Sequence, residues 1–386
     1  IFIIMDKHNF WKTQPIQDTT KKEKLNGSKD VLENISHLFK SEQINLPENF
    51  VWAEINPDLD SDIDLLYNFL YENYIQKNDN TGLHYTKESL RWYLSNPKFY
   101  KNMFLFVKYK NKVVGSIVAT PENISIFNKA DIIFNTTFLC IDKNIREKSL
   151  GAIMIKELLR RMYYNNVKYG YYTSPLNLPN KLTLSNYYHR PLNIKKLIDI
   201  DFITKPDSIS LKSFERLYKV KDKKTTNYIS LRLEDINFCT EKYNEHYKKY
   251  KIYQIMDEEE FKYKFLPVDN IIDTFIIKDN NNIKCFISIF YLKSRILNNS
   301  KYKDYDIAQI YHYFYSDENL FIDFLNDILI YLKDKNMYVV NWIEQMDNNI
   351  FFEKLKFCKG SGEIYYHFWN KSCPYITNKD IGLVTL

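Results

Sequence analysis

One arrangement of residues occurs twice in this chain, and it leaves few folds open. Met103–Tyr109 and Lys112–Thr120 read as two strands with a hairpin at Lys110-Asn111. Asp131–Ile141 reads as a third strand, Leu150–Met162 as a helix and Val167–Ser174 as a fourth strand. Further on, Ile271–Ile277 and Lys284–Leu292 flank an Asn-rich turn at Asp279–Asn282. The strand-like Ile307–Tyr315, the helical Leu320–Leu332 and the strand-like Tyr338–Ile343 follow. Each half is β-β-β-α-β, so the fold class is α/β: two tandem copies with pseudo-twofold symmetry around a continuous mixed sheet. The expected join lies near Ser213–Thr226, which divides the chain into 1–215 and 216–386. The polar stretch 17–30 reads as a linker or mobile loop.

Composition removes several function classes. The 386 residues contain no apolar run near the roughly 20 that a membrane span needs. The excess of 54 Lys+Arg over 48 Asp+Glu is +6, enough to suit an anionic ligand and too diffuse to argue nucleic acid. With Gly 8 and Pro 11 there is little material for glycine-built phosphate loops, and neither GxGxxG nor GxxxxGK[ST] occurs. Five cysteines without CxxC spacing imply neither a zinc site nor a disulfide framework, so no metal is expected and a reducing, cytoplasmic setting is. Ile1–Met5 is too short for a signal peptide, and the chain is read as trimmed at its start.

The chemistry collects before the first-half helix, whose Leu150, Met154, Leu158 and Met162 form one apolar face. Arg146, Ser149 and Gly151 resemble the [RQ]xxGxG/A phosphate turn of acyl-CoA acetyltransferases, with Ser149 in place of one glycine. A strand, a tight turn and a helix start aim backbone N–H groups and the positive dipole end at an anion, and Arg146 and Lys148 add charge. Solvated surface is the bland alternative for such a basic pair. The equivalent place in the second half carries Asp317 and Glu318, which would repel a phosphate. Only the first half is expected to hold an acyl-CoA.

Several segments, taken in order, resemble the eukaryotic glycylpeptide N-tetradecanoyltransferase (N-myristoyltransferase) family. They are FWKTQPI at Phe10–Ile16, LPENFVW at Leu46–Trp52, LYENYI at Leu70–Ile75, and the run FLCIDKNIREKSLGAIMIKELLRR from Phe138 to Arg161. YYTSPLNLP from Tyr171, YYHRPLN from Tyr187, NIIDTF from Asn270, EKLKFCKGSG from Glu353 and the final GLVTL complete the set. The resemblance covers nearly the whole chain.

It implies two GNAT-like halves, the first binding myristoyl-CoA and the second mostly the peptide. Asn9, Phe10, Trp11 and Lys12 match the segment that closes over CoA. Phe138, Leu139, Cys140 and Ile141, then Arg146, Glu147, Lys148, Ser149, Leu150, Gly151 and Ala152, match the strand and phosphate turn. Tyr74, Ile75, Thr137, Tyr187, His189, Ser294, Tyr311 and Asn341 match the peptide groove, and Thr173 a polar residue near the reacting amine. Other readings stay open: Trp11 as a staple, His189 as a loop histidine, Tyr74 and Tyr187 as core, Leu386 as a frayed end. Three departures are expected to matter. Thr137 stands where the family usually has Asn. Lys77 in the run Gln76–Asp79, and Ser361 between Gly360 and Gly362, replace carboxylates that would favour basic peptide residues.

The implied reaction moves a myristoyl group from the CoA thioester to the α-amine of an N-terminal glycine. The substrate is already activated, so no cofactor is needed. The implied base is the α-carboxylate of Leu386, and the oxyanion donors are the Phe138 and Leu139 amides, with no acyl-enzyme on Cys140. The implied partners are myristoyl-CoA and N-terminal glycine peptides, for a cytoplasmic monomer that is not an integral membrane protein and does not bind nucleic acid. A shorter-chain acetyltransferase of the same fold and a catalytically silent binder of glycine peptides are the alternatives.

Overall fold

The computed structural model describes residues 9–17, 25–74, 76–77, 81–146, 149–280, 282–297 and 299–385, with backbone only at 9, 76 and 77. The strands that build the site are β1 (Phe50–Glu54), β2 (Thr81–His84), β3 (Phe104–Tyr109), β4 (Lys112–Ile126), β5 (Lys129–Ile141), β6 (Gly170–Ser174) and β7 (Lys181–Pro191) in the first half. In the second half they are β8 (Ile252–Ile255), β9 (Ile272–Asp279), β10 (Asn282–Ile296), β11 (Asp304–Tyr315), β12 (Val339–Ile343), β13 (Cys358–Trp369) and β14 (Ile381–Gly382). The helices used below are α1 (Asp60–Asn73), α2 (Lys87–Leu94), α3 (Leu150–Tyr164), α4 (Ile236–Tyr247), α5 (Glu258–Phe265) and α6 (Glu318–Asp334).

Both copies of the expected unit are present. β3-β4-β5-α3-β6 and β9-β10-β11-α6-β12 have the same order, each with antiparallel hairpins and one parallel pair made through the helix. Long strands β4 and β10 are buried along nearly their whole length, which is why they read as near-continuous apolar runs. On α3 the expected face, Leu150, Met154, Leu158 and Met162, is buried against the sheet.

The halves are not separate bodies. The strands run β9-β10-β11-β12-β7-β13-β6-β5-β4-β8-β14 in one mixed sheet. At its centre β7, from the first half of the chain, pairs with β12 of the second, and β13, from the second, pairs with β6 of the first. Strand exchange about a pseudo-twofold axis thus knits the copies together. β2 on β10 and β8 on β4 repeat the exchange farther out.

Two connections are anchored to the body of the fold. Of the stretch 17–30, Lys29 and Asp30 pair with Ser372 and Lys371, and the Gln17 side chain bonds both polar groups of the Cys373 backbone. What reads as a mobile loop is therefore docked at both described ends; 18–24 lie outside the described residues. The join near Ser213–Thr226 is also anchored. The fully buried Asp327 carboxylate on α6 accepts from the Thr225 and Thr226 amides, Thr226 at 2.6 Å. Among the described residues no helix is long and apolar enough to cross a membrane.

Candidate active site

The parallel pair in the first half comes apart. β5 and β6 keep register only from Phe134↔Gly170 to Thr136↔Tyr172, although β5 runs to Ile141 and β6 to Ser174. At the same place the β4–β5 ladder steps from Val118↔Thr137 to Ser116↔Cys140, so Phe138 and Leu139 together face Ile117. This is a β-bulge, which turns backbone groups out of the ladder. Phe138 has φ +50°, a left-handed conformation costing a non-glycine residue roughly 1–2 kcal/mol. The surroundings hold it there. The Ser116 hydroxyl donates to the Phe138 carbonyl at 2.8 Å, and the ring is buried among Tyr74, Tyr85 and Tyr93 with centroids 5.9, 5.2 and 5.0 Å away. The Phe138 N–H faces the Tyr74 hydroxyl, whose pKa burial pushes upward.

The start of α3 lies just past this strand. Ser149 sits there with φ 56° and no side-chain cap; its carbonyl accepts from the Ala152 and Ile153 amides at 3.1 and 3.3 Å, and the Leu150 and Gly151 amides, which have no partner among the described residues, are left to an outside acceptor. A serine thus adopts the backbone that a glycine of the phosphate turn would favour. In the second half Asp317 caps α6, accepting from the Leu320 amide at 2.7 Å. The charge asymmetry seen in the sequence is therefore also an asymmetry of capping. Arg146 does something the sequence did not reveal: its Nε donates to the Ile141 carbonyl (3.1 Å) and its Nη2 to the Asn73 carbonyl (2.5 Å), bracing the turn against the end of α1. Glu147 and Lys148 lie outside the described residues.

The N-terminal segment packs on β6 and β13. Asn9–Lys12 form one helical turn, and buried Trp11 stacks on Tyr172 at 5.3 Å, which stacks on His367 at 4.9 Å. The Pro15 carbonyl accepts from the Asn370 amide at 2.8 Å, tying the segment to the end of β13.

Register arranges the remaining residues. Residues paired across strands share a face, as do alternate residues along one strand. Ser294 lies on the face of Phe290, which pairs with Gln309, which pairs with Asn341, which pairs with His189. Along β7 that face continues through Tyr187 to Thr183, and through Tyr366 to Thr173 on β6. Asn135 and Thr137 join from β5. His189 Nδ1 is 2.7 Å from Asn341 Oδ1, and a Cβ on Gly360 would lie 2.2 Å from His189 Nε2, so β13 passes directly over the ring. Burial pushes the Tyr187 hydroxyl up to about 12. The Thr137 hydroxyl is buried and lies against the Tyr93 hydroxyl. Tyr311 is buried beside this face, and Ile75 lies outside the described residues.

The last described segment enters the same face. Ile381 and Gly382 pair in parallel with Ile252 and Tyr253, and the Leu383 carbonyl accepts from Gln345 Nε2 (2.8 Å) and the Tyr366 hydroxyl (3.2 Å). Ile381, Leu383 and Thr385 are buried, as the apolar GLVTL string implied. Leu386 lies outside the described residues. Gln345 and Tyr366, which hold the segment, were missed in the sequence. So were Thr120, Glu122 and Asn135, buried polar residues on the face; Glu122 within the apolar Val113–Ile126 run was the available signal.

A duplicated mixed sheet with a splayed parallel pair, a bulge at the split and an uncapped helix start beside it defines the GNAT-like acyltransferase class. A GCN5-related N-acetyltransferase from Anabaena variabilis shares this fold at TM-score 0.50 and 10% identity, covering 83% of this chain and 72% of that one. The family model described as myristoyl-CoA:protein N-myristoyltransferase matches with its N-terminal domain over 31–185 and its C-terminal domain over 199–384. The chain belongs to the N-myristoyltransferase family. It is 32% identical over 394 residues to the glycylpeptide N-tetradecanoyltransferase of Plasmodium falciparum, covering 98% of this chain and 93% of that protein. Glycylpeptide N-tetradecanoyltransferase 2 of Danio rerio is 30% identical, with 98% and 77% covered. A Saccharomyces cerevisiae N-myristoyltransferase solved with bound myristoyl-CoA matches at TM-score 0.93 and 27% identity, covering 98% of this chain and 95% of that one.

Proposed function

We infer that this chain transfers a myristoyl group from myristoyl-CoA to the amine of an N-terminal glycine. The observation that carries the reading is the strained bulge at Phe138 in the split between β5 and β6, in a chain matched along its length by one transferase family. A tetrahedral intermediate needs donors aimed where its oxygen becomes negative, and a bulge turns backbone amides out of the ladder toward such a position; the Phe138 N–H, which faces the Tyr74 hydroxyl, exchanges that partner for the oxyanion. Phe138 and Leu139 have that role. The uncapped start of α3, from Ser149 to Ala152, takes the CoA phosphates, and Trp11 closes over them. Arg146 contributes by holding the turn.

The amine must lose a proton before it attacks. In water an α-amine titrates near 8 and an α-carboxylate near 3.5, a gap of roughly 6 kcal/mol; burial of both groups narrows it. The α-carboxylate of Leu386 is the proposed base, supported by the burial of the segment leading to it, and Thr173 orients the amine. No acyl-enzyme is required: the thiol of buried Cys140 is pushed up to about 12 by burial, so almost none is thiolate at neutral pH. Tyr74, Ile75, Thr137, Tyr187, His189, Ser294, Tyr311 and Asn341 line the peptide groove in this reading. Residues 1–215 supply most of the acyl-CoA site and 216–386 much of the groove and the base. The enzyme works as a cytoplasmic monomer without a metal or redox cofactor.

The test is thiol release from myristoyl-CoA with a glycine-initiated peptide, compared with an alanine-initiated one and with acetyl-CoA. Release only with myristoyl-CoA and the glycine peptide is expected, and Cys140→Ser retains it. Faster turnover of acetyl-CoA would move the reading to a short-chain acetyltransferase. Peptide binding with no release would make the chain a silent binder.

A further inference from the structure

Between α2, β4, β5, α5 and the terminal segment lies a small cavity. Its free volume is about 20 Å³, room for about one water molecule. Its walls include Tyr93, Glu122, Asn135, Lys264 and Thr385. Lys264 Nζ donates to Glu122 Oε1 at 3.0 Å and to Gln254 Oε1 at 2.8 Å, and the other Glu122 oxygen accepts from the Tyr171 hydroxyl at 2.5 Å. Both charged side chains are only 7% exposed. Asn135 Nδ2 is 3.5 Å from Glu122, while Asn135 Oδ1 is buried without a partner among the described residues. The pair joins β4 of the first half to α5 of the second, 142 residues later.

Such a pair is a poor device for stability alone. Burying two charges is so costly that apolar residues of similar volume often replace a pair without loss, whereas removing one partner is severe. Its place suggests another use. Lys264 is the one cation and Glu122 the one carboxylate among the described residues lining the cavity, and Thr385, which also lines it, directly precedes Leu386. The lining also reaches the bulge: the ring of Tyr93 stands edge-on to Phe138, centroids 5.0 Å apart. Burial works against the Lys264 charge, and Glu122, Tyr311 and Glu260 outweigh it, so the lysine stays protonated.

We propose that the Glu122–Lys264 pair is a positioning element of the transfer reaction, fixing the terminal segment relative to the Phe138 bulge through the cavity it shares with Thr385. The proposal rests on the transferase reading given above. Glu122 and Lys264 touch neither the acyl-CoA turn nor the reacting atoms in it; they act through the segment that carries the base.

The experiment uses the full chain with Glu122→Leu and Lys264→Met together, which removes both charges at similar volume. Myristoyl-CoA affinity, kcat and amide hydrogen exchange at Leu383–Thr385 are measured beside thermal unfolding. Expected are affinity within about twofold of the parent, kcat lowered tenfold or more, and exchange at those amides faster by a similar factor while the core stays protected. A folded double variant with parental kcat and exchange overturns the proposal, because the pair is then structural only. Loss of acyl-CoA affinity in step with kcat overturns it too. Where the double variant does not fold, Glu122→Gln combined with Lys264→Met, which also removes both charges and keeps a polar group beside the Tyr171 hydroxyl, carries the same expectations and the same refutation. Failure of the unmodified chain to release thiol defeats the transferase reading instead, and that control separates the two.

Discussion

Gly382→Ala puts the seating of the terminal segment under direct test. A Cβ at this position would stand 2.8 Å from Tyr247 Cδ1 and 3.0 Å from Tyr250 Cδ2. The Tyr247 ring has little freedom to give way: it is fully buried, stacked on Tyr243 at 4.1 Å, with its hydroxyl 3.0 Å from His312 Nδ1. Overpacking of this kind costs roughly 1–3 kcal/mol. The two-residue strand β14 is the cheaper element to move, since α4 is locked into the core. A strain of about 2 kcal/mol released by displacing the segment shifts the seated-to-displaced ratio about thirtyfold, which bounds the loss in kcat. Turnover is therefore expected to fall between a few-fold and thirtyfold, with myristoyl-CoA affinity unchanged and only a small drop in melting temperature. Gly27→Ala is the matched control, because a Cβ there meets nothing within 4 Å. Parental kcat together with parental amide exchange at 383–385 in Gly382→Ala would refute the reasoning.

Appending a few residues after Leu386 moves the proposed carboxylate and should cut kcat by roughly 10² to 10⁴, the contribution of a positioned general base; acyl-CoA affinity measured in parallel should hold, and normal turnover would place the base elsewhere. Ser149→Gly relieves a left-handed serine but loosens the unfolded chain, so chemical denaturation should show a gain of at most about 1 kcal/mol, while Ser149→Val should lose about that much. Acid stability has a definite sign. Burial depresses His367 to about 4 and His246 to about 3, and holds His312 well below its usual value. The unfolded chain then binds more protons near and below pH 6.5, so stability is fully present above that pH and falls as pH drops toward 4. His367→Leu should flatten the decline in a thermal series from pH 7 to 5, and an unchanged slope would show that His367 is not buried neutral.

Much of this protein was legible in its sequence, because local periodicity and composition report on burial. Alternation in Asp131–Ile141 and the i, i+4 face from Leu150 to Met162 revealed the repeated unit. Asp317 and Glu318 against Arg146 and Lys148 marked a charge asymmetry between the halves, and motif order showed the family. Tertiary structure decided the rest. Backbone hydrogen bonds do not depend on side-chain identity, so periodicity says which residues share a face but not which strand lies alongside. The exchange of β7 and β13 between the halves was therefore invisible, as was the reach of β14 to β8. The left-handed Phe138 carries no glycine to announce it; packing against Tyr74, Tyr85 and Tyr93 and the Ser116 bond hold it in place. The bracing of the turn by Arg146 was invisible too, because charge can be read from a sequence and the carbonyls that engage it cannot. Glu122 and Lys264 find each other only when two distant segments fold to one cavity, where low dielectric makes each charge costly without the other.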